Sequence, residues 1–148
     1  MPNHHHLLIV ANETVEGSAL VGTVRDIALS HDAEVLVVAP ALNSRLRHWM
    51  SDSDSAHRAA EERLAGCLAR LREAGVRATG HVGDADPMRA MEDAMAVFPA
   101  DEIVIGTHPE TRSNWLAHDI VMRACARFAL PVAHVVVDVA ARREYLAA

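Results

Sequence analysis

The segment Asp101–Ile120, DEIVIGTHPETRSNWLAHDI, decides the fold. Ile103-Val104-Ile105 reads as a buried strand that turns at Gly106. A polar loop from Thr107 to Asn114 follows. A helix expected to begin near Ser113 or Asn114 then carries Leu116, Ile120, Val121, Ala124 and Phe128 at helical spacing. Pro131 stops that pattern, and Val132–Val139 reads as a last strand. In an open parallel sheet, ligands sit beyond the carboxyl ends of strands and above helix N-termini. A small molecule is therefore expected at this turn.

The same alternation runs through the rest of the chain. Leu7–Ala11 is an unbroken apolar run, as a central strand covered on both faces requires. Thr14 is a candidate N-cap, and Leu20, Val24, Ile27 and Ala28 recur at helical spacing. Val35–Val38, closed by Pro40, forms a second strand. Asn43–Ser55 is irregular and reads as a surface connection. Ser51–Ser55 offers several caps to a long helix with Ala60, Leu64, Cys67 or Leu68, and Leu71 inward. Its charged residues, Arg63 included, are assigned mainly to the solvated side, and Gly75 to a left-handed C-cap. Val76–Val82 is a weaker, polar-interrupted strand expected at one edge. Asp86-Pro87 opens a helix with a capping side chain and Pro at its first position. Its Met88, Met91, Met95 and Phe98 read as packed core, and Asp84, Asp86 and Glu92 as a cap and a solvated helix face rather than a metal site.

The expectation is one α/β domain with an open parallel five-stranded sheet and right-handed crossovers that put helices on both faces. Residues 7–139 would form it, with 1–6 an N-terminal extension and 140–148 a loose tail. His4–His6 raise the thought of a metal or a tag remnant, but three adjacent imidazoles make no closed site. A ragged terminus is expected there.

Composition narrows the function. A chain of 148 residues is large enough to bury roughly 68–70% of its unfolded surface as one domain. Its net charge is −6 and its fourteen basic residues are all Arg. No basic run or aromatic platform suggests nucleic acid. Without Lys, a phosphate-loop Lys, a Schiff base and the Lys of a phosphorelay receiver are all excluded. Cys67 and Cys125 have no metal-ligand spacing and read as reduced, buried thiols. No run approaches the roughly 18 apolar residues of a membrane helix, and the N-terminus lacks a basic region. A cytoplasmic protein is expected.

Three motifs carry a resemblance. Leu7–Val10 followed by a turn, Gly83-Asp84 near Pro87, and Asp101–Thr107 with its following helix together resemble the universal stress protein family over nearly the whole chain. The resemblance implies a Rossmann-like fold of the adenine nucleotide alpha hydrolase type with strand order 3-2-1-4-5. It also implies a role in stress adaptation and a two-fold pairing of the last strand, Val132–Val139, in a homodimer. Nucleotide-binding members carry a phosphate loop of Gly, two residues, Gly, nine residues, Gly, then Ser or Thr. This chain keeps Gly106 alone, with Pro109, Asp119 and Ile120 at the other three positions. Asn12 stands where the family commonly has an Asp at the end of the first strand.

Backbone N–H groups must point at a bound phosphate, and Pro109 removes one. Were Asp119 beside the phosphates, it would repel a unit charge at about 4 Å by about 4 kcal/mol. A helix N-terminus offers only about 0.3–1 kcal/mol in return. ATP in the usual pose is therefore disfavoured, and no cofactor is expected. The residues left to hold a smaller anion, or a nucleotide in another pose, are Asn12, Gly106, Thr107, His108, Thr111, Arg112, Ser113 and Asn114. The leading expectation is a binding or regulatory module, with a protein partner the sequence does not identify. The runner-up binds ATP through a variant Thr107–Asn114 loop. An enzyme is disfavoured: Asn12–Gly17 matches neither Ser-Gly-Gly-x-Asp-Ser nor His-x-Gly-His, and nothing positions a nucleophile for His108 or His118.

Overall fold

The computed structural model describes residues 5–11, 18–41, 53–84, 86–107, 111–138 and 143–147. For 18–20, 31, 53–56, 107, 111–118, 136–138 and 143–147 it describes the backbone alone. Elements alternate from β1 (His6–Ala11) and α1 (Ser18–His31) to β2 (Glu34–Pro40) and α2 (Ser53–Glu73). They continue through β3 (Ala78–Gly83), α3 (Pro87–Val97), β4 (Glu102–Thr107), α4 (Thr111–Phe128) and β5 (Val132–Asp138) to β6 (Arg143–Ala147). The sheet order is β3-β2-β1-β4-β5-β6, in which the first five strands are parallel.

The apolar run at the start of the chain is central, as expected. Leu7 to Ala11 are fully buried because alternate residues feed two cores. Leu7, Ile9 and Ala11 pack with Val24 of α1 and with Ala60, Leu64, Cys67 and Leu71 of α2. Leu8 and Val10 pack with Met88, Met91 and Ala94 of α3 and with Ile120 and Ala124 of α4. The methionine stripe is core, with Met95 and Phe98 at its margin.

Helix ends follow local chemistry. Asp86 caps α3 by accepting from the Met88 N–H at 3.0 Å, and Pro87 follows at the first helical position. Asp84 accepts from the Asp86 N–H at 2.9 Å. Gly75 closes α2 at φ +85, with Val76 N–H donating to Leu71 O at 2.8 Å. Asp32 and Ala129 take the same left-handed position at the ends of α1 and α4, with φ 50 and 53.

Four expectations change. Arg142–Ala148 is not simply a loose tail: Arg143–Ala147 pairs antiparallel with β5, from His134↔Ala147 to Asp138↔Arg143. The edge of β5, expected to be open for a partner copy, is thus covered by the chain itself, as an apolar edge strand requires. His5 and His6 are not a ragged end either. His6 opens β1, its N–H donates to Asp101 Oδ2 at 2.8 Å, and its carbonyl accepts from the Asp101 N–H at 2.8 Å. His5 Nε2 lies 3.3 Å from Glu102 Oε2. Cys125 is exposed rather than buried, because it lies one position past the inward-facing Ala124, on the outward side of α4 with Ala126. Arg63 turns inward, as described below.

Candidate functional site

The carboxyl ends of the strands define the crevice. The order reverses direction between β1 and β4, so Ala11 stands opposite Gly106. In an open α/β sheet this switch point is the opening in which ligands sit. On one side Gly106 is in register with Val135 of β5. On the other, Pro40 ends β2 opposite Gly83 of β3, and the Ala41 N–H donates to Gly83 O at 3.2 Å. Gly83 is required by packing: a Cβ there would lie 2.8 Å from both Ala90 Cβ and Val38 Cγ1. The close approach seats the start of α3 against the sheet at this same end.

Of the residues expected to form a site, Gly106 is buried at the end of β4 and Thr107 is the last residue of that strand. Asn12 and His108 lie outside the described residues. Thr111, Arg112, Ser113 and Asn114 are not loop residues: they form the first turn of α4. The helix starts two to three residues earlier than its sequence indicates. Thr111, Ser113 and Asn114 are all competent caps, and local signals cannot choose among them.

This shift alters the argument about phosphate. Asp119 lies eight residues into the helix, about 12 Å along its axis from Thr111. Its exposed carboxylate is 3.8 Å from the Arg123 guanidinium one turn on. The repulsion expected of an Asp beside bound phosphates has no bearing at that distance. The nine-residue spacer of the family's loop would run from 110 to 118, and here residues 111–118 are helical. Interior helical N–H groups are spent on carbonyls four residues back. Only those of the first turn remain for an anion.

Arg63 is the contributor that the sequence reading places in solvent. Its Nη2 donates to Pro40 O at 3.1 Å, fixing α2 to the carboxyl end of β2. The signal was available: Arg63 falls between Ala60 and Cys67 on the flank of the buried stripe. Cys67 itself is buried, and loss of solvation pushes its thiol up to about 12, against a smaller lowering effect of Arg70. It is an inert thiol rather than a nucleophile. Among the described residues, no group of three or more His, Cys, Asp or Glu side chains is arranged to hold a metal ion, and no helix is long and apolar enough to cross a membrane.

No protein-family model matches the chain, and no curated protein matches it by sequence. Solved structures do resemble it. A universal stress protein from Archaeoglobus fulgidus aligns at TM-score 0.63 and 19% identity, covering 88% of this chain and 93% of that one. The same organism's universal stress protein in complex with dAMP aligns at 0.62 and 20%, covering 90% and 98%. A universal stress protein family protein from Arabidopsis thaliana with AMP bound aligns at 0.56 and 11%, covering 89% and 91%. The chain shares the Rossmann-like fold of these proteins.

Proposed function

We propose that this chain is a divergent universal stress protein, a regulatory binding module in stress adaptation that does not hold ATP in the family's usual pose. The observation that carries this reading is the start of α4 at Thr111, immediately beyond the Ala11–Gly106 switch point. It leaves residues 108–110 as the connection between β4 and α4, where the family motif needs a glycine-flanked loop. The module acts by binding rather than by catalysis. Self-association belongs to the same reading, with the sheet edge at the C-terminal side meeting its two-fold copy.

Nucleotide analysis of freshly purified, untagged protein tests this. Denatured protein should release far less than one equivalent of ATP or ADP. Near-stoichiometric release would sink the proposal.

A second reading is favoured by one observation: two of the structural neighbours hold a nucleoside monophosphate. A single phosphate needs fewer donors than a triphosphate. The first turn of α4, which includes Arg112, supplies N–H groups for one. In that case AMP binds, and Arg112→Ala abolishes the binding.

A further inference from the structure

At the opposite end of the sheet, across the amino ends of β2 and β3, lies a cleft of about 400 Å³ lined by Asp32, Glu34, Arg77, Thr79 and Phe98 among others. Its volume falls in the lower part of the roughly 300–1,000 Å³ range of small-molecule sites. In the β2–β3 register Val35 faces Ala78 and Leu36 faces Thr79. Glu34, the first residue of β2, and Arg77, the residue just before β3, come one position before the first of these pairs, and both line the cleft. Strand alternation puts Glu34 on the face of Leu36, which is the face Phe98 packs against, and Arg77 and Phe98 line the same cleft.

These opposite charges do not meet. No guanidinium–carboxylate approach within 4.0 Å joins them. Glu34 Oε2 lies instead 3.6 Å from His6 Nε2. Among the described residues Arg77 and Asp32 have no ion-pair partner, and Asp32 is held in place as the left-handed cap of α1. A ligand with one charge would satisfy one wall of the cleft and leave the other unmatched. A simple anion would face two carboxylates, and a simple cation would face the guanidinium.

We propose that this cleft binds a compact zwitterion, an α-amino acid with an apolar side chain. Its ammonium group sits between Asp32 and Glu34, and its carboxylate on Arg77, where a planar guanidinium can engage both oxygens. Its side chain lies on the Phe98 ring, itself steadied by an edge-on contact with His6 at 5.0 Å between ring centroids. The site is independent of any nucleotide at the far end of the sheet.

The test is calorimetric titration of the full chain with L-leucine, L-methionine and L-phenylalanine to about 10 mM. At least one should bind saturably. For leucine, isoamylamine and 4-methylpentanoate, each keeping one of its charges, should bind at least about tenfold more weakly. Arg77→Gln and Glu34→Gln should each cost about tenfold in affinity. Both residues are exposed, so the thermal midpoint should hold. Absence of saturable binding for all three amino acids overturns the proposal. So does binding that survives both substitutions, or a single-charge analogue that binds as tightly as its parent.

Discussion

Ala11 at the end of β1 stands in register with Gly106 at the end of β4, at the point where the strand order reverses. The crevice lies at this pairing, and the next helix begins at Thr111; on the function proposed above, that start limits what the crevice can hold. Three intervening residues leave little backbone to wrap a triphosphate. Titration of ATP with magnesium should therefore show no binding tighter than about 100 μM. Arg112→Ala should leave that result unchanged. Micromolar ATP affinity lost on Arg112→Ala would instead support a rebuilt loop.

Among the described residues, three helices end on a left-handed residue, and one of the three uses glycine for it. Gly75 has φ +85, whereas Ala129 sits at φ 53. An L-residue with a Cβ pays roughly 1–2 kcal/mol there. Ala129→Gly should raise stability by about 0.5–1 kcal/mol, the added freedom of the unfolded chain offsetting part of the gain. Gly75→Ala should lower it by about 1 kcal/mol. Urea midpoints of the two variants moving in the same direction would contradict this account.

Gly80, on edge strand β3, is held for a different reason. A Cβ built there would lie 2.5 Å from Leu64 Cδ1 and 2.7 Å from the Val37 carbonyl oxygen. Leu64 can turn aside, but a backbone carbonyl in the sheet cannot. Gly80→Ala should destabilise by about 1–3 kcal/mol, the usual range for overpacking. Gly66, with nothing within 4 Å of such a Cβ, is the control. Gly66→Ala should be neutral or stabilising in the same denaturation assay.

The two thiols should separate by chemistry and by pH. Cys125 is exposed and Cys67 buried, so a thiol reagent should modify one cysteine quickly in native protein and two after unfolding. Burial raises the Cys67 pKa from 9.0 to about 12. Between those values the unfolded thiol loses its proton while the folded one keeps it. Stability from this group is complete below pH 9.0 and declines toward pH 12, by at most about 1.4 kcal/mol per pH unit. Cys67→Ala should flatten the alkaline limb of the urea-midpoint profile. An unchanged limb would show that other groups set it.

What could be read from the sequence was local or strongly periodic. The cap Asp86-Pro87, the left-handed Gly75 and the apolar run of β1 each carry their cause within a few residues. The start of α4 was ambiguous because several neighbouring residues can cap a helix. Strand β6 was hidden because REYLA has no alternation of its own and forms by pairing with β5. The amino-end cleft unites residues near 33, 78 and 98, which only the sheet register brings together. The crevice is legible in the sequence as a place, through Gly106, while its shape depends on where the next helix begins.

The sheet still has an outer edge beyond β5, now formed by Arg143–Ala147. An edge strand offers unpaired N–H and C=O groups, which are satisfied by water, by a covering segment or by another strand. Antiparallel pairing of β6 with its own copy across a two-fold axis would satisfy them and continue the sheet through the dimer. Light scattering at tens of micromolar should therefore give twice the monomer mass. Neighbouring residues in a strand point their N–H groups to opposite sides, so replacing both Glu144 and Tyr145 with Pro removes one donor toward β5 and one toward the copy. That double variant should run as a monomer with its core intact by circular dichroism. A monomeric mass for the unaltered chain would end the proposal, and a variant that remains dimeric would move the contact away from β6.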